Sequence, residues 1–474
     1  MNKRFLWYPV IIGVFALLIW FILEKGQSLP MHTGSIAVTP AAHAVVSSAS
    51  WLQYFDNLKH PLGLLLLQIM LIMLVARLFG WLANRIKQPA VVGEIIAGVL
   101  LGPSLLGWTL PSFSAFLFPA DSLKNLQFLS QIGLAFFMFI VGMELDIQKI
   151  RQKAHDAVMI SHASIIIPFF LGVSLAYFLF TRFAPPQVSF LSFALFMGIA
   201  MSITAFPVLA RIVQERKLTN TPLGVMAITC AAADDVTAWC ILAVVVAIVN
   251  AGGLVSAIIT IILALVFVLI MLMAVRPWLN KTLSHYLEKD QQKRAVSLSF
   301  LILLVAAWFA EVIGIHALFG AFLAGVIMPG NTIKTILTDK LEDVSVMLLL
   351  PIFFVFTGLR THIGLLNQGD LWLVFGMIMF VAVAGKFGGS TITARLMGQN
   401  WHSAVSIGAL MNTRGLMELV VLNIGFDLGI LSPEIFAMMV LMALATTFMT
   451  GPLLDLVGYS ERKRAAISRI SYQD

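Results

Sequence analysis

Long apolar segments separated by short polar ones recur along the whole chain. Continuous apolar runs of about 18 or more residues match the thickness of the hydrocarbon core when they are helical. The pattern therefore predicts an all-α polytopic membrane protein, and the absence of alternation argues against a closed barrel. The predicted spans are 5–23, 62–84, 91–110, 126–146, 157–181, 189–214, 222–250, 254–276, 296–314, 316–330, 344–361, 371–396, 403–428 and 433–457. The stretch 316–330 is short and is predicted to be irregular or tilted.

The basic residues fall mostly on one side of these spans. With the N-terminus inside, 22 of the 30 lysines and arginines lie in cytoplasmic segments or span ends, and 5 lie outside. This bias is the positive-inside pattern, so it explains the net charge of +7 better than a nucleic-acid partner does. The sequence predicts a cell (inner) membrane protein with both termini in the cytoplasm.

The N-terminal part differs from the rest of the chain. An apolar stretch at 5–23 follows Lys3 and Arg4 and is either a signal peptide or an uncleaved anchor. The residues after it, EKGQSLP, lack a small-residue cleavage site, which favours the anchor. We expect an anchor and outside linker at 1–61, a transmembrane domain at 62–457 and a short cytoplasmic tail at 458–474.

Two glycine-containing motifs occur twice in the same order. Gly93–Pro103 (GEIIAGVLLGP) is followed by Phe136–Gly142 (FFMFIVG), and Gly320–Pro329 (GAFLAGVIMP) is followed by Phe353–Gly358 (FFVFTG). Small residues recur in membrane helices for close packing, but here the two units have opposite predicted topology. Inverted repeats are typical of secondary transporters. The predicted repeats are about 62–250 and 296–457, joined by a linking helix at 254–276.

Asp234 and Asp235 are the only formal charges in the apolar stretch Pro222–Asn250. A carboxylate at bilayer depth costs at least ~2.5–3.5 kcal/mol on insertion scales, and two neighbouring carboxylates repel each other. A cation, a proton or a buried base must compensate the pair. The sequence therefore indicates an ion or proton transport site, with a purely structural ion-pair network as the alternative.

Each repeat also contains an interrupted helix. Pro207 removes an N–H and disrupts the preceding turn, which frees nearby carbonyl oxygens beside the hydroxyl of Thr204. In the second repeat, Thr413 and Arg414 lie in the corresponding break, Asn412-Thr413-Arg414-Gly415. A harmless kink is the alternative for each break, because kinks are tolerated in membrane helices. As a matched pair, the breaks favour a site for a hard monovalent cation held by oxygen atoms.

Two further basic residues lie within predicted spans. Lys386 is deep in an apolar stretch and at about the right depth to meet Asp234 from the opposite repeat. A buried lysine needs a partner, so we expect a carboxylate-paired or proton-carrying role. Arg414 and Glu418 are four residues apart on one helix face, where they support the helix crossing or handle ions directly.

Several stretches resemble the monovalent cation:proton antiporter-2 family, which includes bacterial Kef-type proteins and plant cation/H+ exchangers. The matching stretches are QPAVVGEIIAGVLLGPSLLG (88–107), TAFPVLARIVQERKL (204–218), GVMAITCAAADDVTAWC (224–240), LFGAFLAGVIMP (318–329), LLPIFFVFTGLRT (349–361), GKFGGS (385–390) and MNTRGLMELVVLNIG (411–425). The resemblance implies a 13-helix antiporter fold with two crossing broken helices, here with one extra N-terminal helix. It also implies a homodimer with no cofactor. Asp235 would be the principal cation and proton carboxylate, and Asp234 the second acid, partnered by Lys386.

The function predicted from these residues is Na+ or K+ exchange for protons by alternating access. The two-acid form of the family is associated with electrogenic exchange, so we expect net charge movement. A gated potassium efflux channel and a membrane-bound sensor are the alternatives. No Walker A, HExxH or GxSxG motif occurs, so we expect no enzyme activity. The expected partners are monovalent cations, protons and the lipid bilayer.

Overall fold

We describe a computed structural model of the chain over residues 60–86, 88–144, 154–218, 221–250, 254–367 and 369–470. The predicted helix at 5–23 and nearly all of the outside linker lie outside these residues. Within the described residues the chain forms helices joined by turns and short loops, with no strand. The predicted all-α class is therefore confirmed.

Twenty α-helices make up this part of the chain. The first five are α1 (Pro61–Arg85), α2 (Ala90–Leu101), α3 (Leu106–Thr109), α4 (Pro111–Leu117) and α5 (Ala120–Glu144). The next six are α6 (Ala154–Phe183), α7 (Phe190–Ser202), α8 (Phe206–Glu215), α9 (Pro222–Asn250), α10 (Leu254–Ile270) and α11 (Arg276–Glu288). Then come α12 (Gln292–Ile313), α13 (Ala317–Val326), α14 (Asn331–Val344), α15 (Leu350–Leu359) and α16 (Leu371–Val383). The last four are α17 (Gly389–Leu396), α18 (Trp401–Met411), α19 (Leu416–Asp427) and α20 (Pro433–Ile470).

Three π-helical turns join neighbouring helices without a break, and one 3₁₀ turn lies in the loop between α15 and α16. The π turns are Met271–Val275, Ser345–Leu349 and Ala384–Gly388, and the 3₁₀ turn is Ile363–Asn367. Among the described residues, 11 helices are long and apolar enough to cross a membrane, or up to 12 when the bent pair α18 and α19 is taken as one span. The shorter helix α13 is also apolar and coincides with the predicted short span.

Several helix boundaries differ from those expected, and two helices extend well past their predicted ends. The linking helix predicted at 254–276 continues through a π turn into α11 and ends at Glu288. The last helix continues past the predicted end at 457 to Ile470. Both extensions are rich in charged and polar residues, which lower the hydropathy on which the prediction relied without preventing helix formation.

The two predicted helix breaks are non-helical segments that meet each other. Between α7 and α8 the backbone is extended at Ile203 (φ −73°, ψ 136°) and at Ala205 (φ −91°, ψ 91°). Between α18 and α19 the chain passes through Thr413. The backbone N–H of Ala205 donates to the carbonyl oxygen of Thr413 at 3.1 Å, so the two broken helices cross at their breaks.

Within residues 60–470 the long helices form two groups. One group, which we call the aspartate bundle, contains α9, the helices α6, α7, α8 and α18 that pack against it, and the helices α16, α17, α19 and α20 that pack against members of that set. The other, which we call the flanking bundle, contains α1, α2, α5, α12, α13, α14 and α15. Packing is extensive inside each group, whereas α15 with α19 and α2 with α20 touch only at a few residues. The boundary between the bundles is the main seam of the molecule.

The repeated glycine motifs pack reciprocally in the flanking bundle. A Cβ on Gly98 would lie 2.5 Å from the Val355 carbonyl oxygen, and one on Gly358 would lie 2.5 Å from the backbone of Gly98. In the same way, a Cβ on Gly325 or Gly142 would come within 3.0 Å of the other glycine's Cα. The first motif of each repeat therefore packs against the second motif of the other repeat, which is the pattern expected for two units related by pseudo-two-fold symmetry. Only glycine allows the backbones to approach this closely.

Candidate functional site

Asp234 lies in the middle of α9 and is fully buried. Ser161 of α6 donates to its Oδ1 at 3.1 Å, and Ser164, one turn further along α6, donates to Oδ2 at 3.4 Å. Thr204, in the extended break between α7 and α8, donates a short hydrogen bond to the same Oδ2. These three hydroxyls, all fully buried, replace the water that an exposed carboxylate would bind.

Lys386 completes the surroundings of Asp234. Its Nζ lies 2.7 Å from Asp234 Oδ2, and neither side chain is exposed. The same Nζ donates to the carbonyl oxygens of Ser164, at 2.9 Å, and of Ser202. An ammonium group has three N–H donors, and all three have acceptors here. Lys386 lies in the π turn Ala384–Gly388, a local distortion that is often found at functional sites.

Asp235 has very different surroundings from its neighbour. It is 2% exposed, yet neither carboxylate oxygen has a hydrogen-bond partner among the described residues. The backbone N–H of Phe206, at the start of α8, is directed toward this carboxylate and is the one backbone dipole in the described part of the chain that favours its charged form. The carboxylate lines a small pocket whose other walls are Ile203, Ala238, Trp239, Leu242, Met417 and Val421. A buried carboxylate without donors is unstable as a bare anion, so it needs a proton or a cation.

Arg414 and Glu418 brace the helix crossing. The Arg414 guanidinium donates to Glu418 Oε2 at 2.9 Å and to the carbonyl oxygens of Ala200 and Met201 at 2.9 and 2.8 Å. Both side chains are fully buried. The carbonyl end of α7 is the negative end of that half-helix, and a guanidinium there stabilises it. The geometry thus favours the supporting role for Arg414 over direct ion handling.

Thr413 and Pro207 shape the breaks. The Thr413 hydroxyl lies 3.2 Å from the Thr450 hydroxyl, so it points to α20 and not to the aspartates. Pro207 is in the first turn of α8, where its missing N–H removes no hydrogen bond of the helix. The sequence suggested that carbonyls near this break are free for a cation, but those at the end of α7 are bound by Arg414 and Lys386. The hydroxyl of Thr204 does reach the site, as expected.

The serines of α6 and Ser202 were not anticipated from the sequence. Ser161 and Ser164 are three residues apart, so they share one helix face in an otherwise apolar segment. That spacing was the only available signal, and hydroxyls in membrane helices often bond to their own backbone instead. The site as built contains two acids, one lysine and at least three hydroxyls from four separate segments of the aspartate bundle.

Comparisons with known proteins agree with this architecture. Residues 70–457 match the family described as "Sodium/hydrogen exchanger, transmembrane". The chain is 44% identical over 398 residues to the Na(+)/H(+) antiporter NhaS4 of Synechocystis sp., covering 83% of this chain and 97% of that protein. It is 41% identical to Cation/H(+) antiporter 17 of Arabidopsis thaliana (84% of this chain) and 33% identical to K(+)/H(+) antiporter 1 of Saccharomyces cerevisiae (88% of this chain). The chain spans about half the length of each of these last two relatives, 49% in both cases.

A solved structure shares the fold. The sodium proton antiporter MjNhaP1 from Methanocaldococcus jannaschii superposes with a TM-score of 0.57 over 84% of this chain and 97% of that chain, at 15% sequence identity. At this identity the likeness concerns the arrangement of helices alone.

Proposed function

Because the chain belongs to the sodium/hydrogen exchanger family of monovalent cation:proton antiporters, we propose that it exchanges Na+ or K+ for protons by alternating access. The observation that carries the proposal is the contrast between two adjacent buried carboxylates. Asp234 is bonded to three hydroxyls and to Lys386, whereas Asp235 has no hydrogen-bond partner among the described residues. Asp235 is therefore the group that can take a proton and a cation by turns.

Competition for one carboxylate couples the two flows. In one orientation Asp235 loses its proton to the adjoining solution and binds the cation from the same side. The aspartate bundle then moves against the flanking bundle, and the cation leaves on the other side, where a proton replaces it. The site cannot change orientation while Asp235 is ionised and no cation is bound, because an uncompensated buried carboxylate is too costly. A movement of this kind takes place along the boundary between the two bundles, where α15 with α19 and α2 with α20 make few close backbone approaches.

Lys386 and Asp234 supply the basis for electrogenic exchange. With both aspartates ionised and Lys386 protonated, the three side chains carry one net negative charge. If a cation displaced only the proton of Asp235, each cycle would move no charge. If the cation also draws Asp234 away from Lys386, the buried amine loses its favourable partner and releases its proton. Two protons then exchange for one cation, and the cycle moves net charge.

The substrate ion is held by oxygen atoms in this proposal. The carboxylate of Asp235 is the main ligand, and Asp234 and the Thr204 hydroxyl are close enough in the chain's fold to contribute once Lys386 is displaced. No resident metal or organic cofactor is invoked. Both Na+ and K+ prefer such oxygens, and the relatives' names include exchangers of each ion.

Proteoliposome exchange tests the function. Purified protein is reconstituted with a pH dye inside the vesicles, and Na+, K+ or Li+ is added outside while a second dye reports membrane potential. We expect a cation pulse to move protons in the opposite direction and to change the potential. Ohmic cation currents without proton movement would favour the channel alternative instead.

We further propose an inner-membrane homodimer with cytoplasmic termini. The distribution of basic residues supports the orientation. The exposed large apolar side chains of α1 and α10 support a membrane-embedded surface that lipid or a second copy covers. Cross-linking in native membranes and reporter fusions at each terminus test these two statements separately.

A further inference from the structure

One end of helix α19 carries polar contacts that cross the seam between the bundles. Arg360, which directly follows α15 in the flanking bundle, places Nη2 2.5 Å from Oδ1 of Asp427, the last residue of α19. Its Nη1 donates to Oδ1 of Asn423, one turn earlier on the same face, at 3.2 Å. A single guanidinium from one bundle therefore binds two side chains of the other.

Aromatic rings enclose this guanidinium. Its central carbon lies 4.6 Å from the ring centre of Phe426 in α19 and 5.1 Å from that of Phe356 in α15. Arg360 and Asp427 are only 17% and 29% exposed as side chains. Partial burial and the cation–π contacts make such a pair stronger than a solvated surface ion pair.

Two further hydrogen bonds join the bundles at the same place. Gln127 of α5 donates to Oδ2 of Asp427 at 3.1 Å, and Asn423 donates to the Thr357 hydroxyl of α15 at 2.8 Å. In each case one partner belongs to the flanking bundle and the other to α19. We call the five residues Gln127, Thr357, Arg360, Asn423 and Asp427 the clasp.

Two residues of the clasp lie on the helix that leads from the aspartate site. Met417 and Val421 of α19 line the pocket of Asp235, and Asn423 and Asp427 follow on the same helix. From Met417 to Asp427 the helix rises roughly 15 Å. A second pocket is lined by Gln127, His316, Asn423 and Asp427 among others, so it lies beside the same helix. Trp239, which lines the Asp235 pocket, also stacks on Phe322 of the flanking bundle, with ring centres 6.2 Å apart.

We propose that the clasp holds the bundles together at this end and closes the route from there to Asp235. The inference rests on the proposed alternating access, and it names Arg360 as the positioning residue that sets which side the site faces. A rigid movement of α19 away from α15 breaks every contact of the clasp together. Weakening the clasp therefore favours the state in which Asp235 is reached from this end, which is the outside in the predicted orientation.

The test measures exposure of the pocket without measuring transport. A cysteine replaces Leu242, a lining residue of the Asp235 pocket, in a chain whose two native cysteines are alanine (Cys230→Ala, Cys240→Ala). A membrane-impermeant thiol reagent is applied to each side of oriented proteoliposomes, and the labelling rate is measured. Arg360→Gln and Asp427→Asn are each expected to raise the rate from the clasp side about fivefold, the scale of one partly buried ion pair. Together they should raise it little further, because they remove the same contact.

The chain offers a control in a second, more exposed ion pair. Arg182 and Asp370 also form an ion pair at the same end of the spans, but both belong to the aspartate bundle. Arg182→Gln should leave the labelling rate unchanged, since this pair does not cross the seam. Should Arg360→Gln fail to fold, Asp427→Asn tests the same contact from the other side.

Two results would overturn the inference. One is an unchanged labelling rate in both clasp variants, and the other is an equal increase in Arg182→Gln. Because labelling does not depend on exchange, failure of the clasp is distinguishable from failure of the proposed function, which appears as absent cation-driven proton movement in the unaltered protein.

Discussion

Asp234 and Asp235 are adjacent in one helix, yet Asp234 accepts hydrogen bonds from four side chains and Asp235 from none in the described part of the chain. Adjacent residues on a helix project about 100° apart, so one carboxylate faces α6 and Lys386 while the other faces a small pocket. This geometry gives the two acids different roles. One acid is held by a fixed network, and the other is available for exchange.

Asp235→Asn is expected to abolish cation-driven proton movement. The amide keeps the shape of the side chain but neither binds a proton in this pH range nor carries the charge that holds a cation. The measurement is dye-monitored exchange in proteoliposomes at matched protein content. Asp290→Asn, at an exposed position, is the control and should exchange normally. Normal exchange by the Asp235 variant would remove this residue from the mechanism.

Asp234→Asn is expected to reduce exchange less severely and to make it electroneutral. The variant no longer has a carboxylate that couples cation binding to the proton of Lys386, so only the Asp235 proton exchanges with the cation. The ratio of charge moved to cation moved should fall toward zero in the potential-dye assay. Persistence of the original ratio would mean that the charge movement arises elsewhere.

The Lys386–Asp234 pair is expected to show strong coupling in stability. Removing one partner of a buried ion pair typically costs about 3–5 kcal/mol, because the other partner is left buried without compensation. Lys386→Met and Asp234→Asn should each lower the unfolding temperature in detergent. The double variant should lower it by less than the sum of the two single reductions. A reduction in the double variant that equals the sum of the two single reductions would contradict a direct interaction.

The parts of this site that sequence predicted are those with a local chemical signature. Asp234, Asp235 and Lys386 are conspicuous because charge in an apolar run is costly, and Pro207 marks a break because it lacks an N–H. The contact between Lys386 and Asp234 was also expected, and the structure brings the two together. In these cases the energetic cost that constrains the residue can be recognised from a single segment of the sequence.

The parts that sequence did not predict depend on packing between distant segments. Ser161 and Ser164 donate hydrogen bonds to Asp234 only because α6 lies against α9. A hydroxyl in an apolar helix often bonds to its own backbone instead. The clasp joins Arg360 to Asp427, 67 residues apart in different bundles. Nor could the sequence reveal that Arg414 binds the carbonyl end of α7, since a backbone acceptor has no signature in the sequence.

Arg414→Gln is expected to destabilise the helix crossing. The substitution removes the guanidinium that links Glu418 to the carbonyls of Ala200 and Met201, and it leaves a buried acid without its base. We expect a loss on the order of 3 kcal/mol, since the pair is fully buried. The measurement is unfolding in detergent together with exchange at low temperature. If stability is lost while the remaining folded protein exchanges with unchanged cation affinity, Arg414 supports the crossing. A changed affinity at normal stability would assign it to ion handling.

Gly98→Ala is expected to disrupt the packing between the two repeats. The new Cβ would lie 2.5 Å from the Val355 carbonyl oxygen, and the opposing atom is backbone that cannot rotate away. Overpacking of this kind costs roughly 1–3 kcal/mol. Gly376→Ala in α16 is the matched control, because its Cβ would meet nothing within 4 Å and alanine is the better helix former. Unfolding temperature should therefore fall for Gly98→Ala and stay level or rise for Gly376→Ala. An equal response of the two variants would show that the close approach of α2 and α15 does not limit stability.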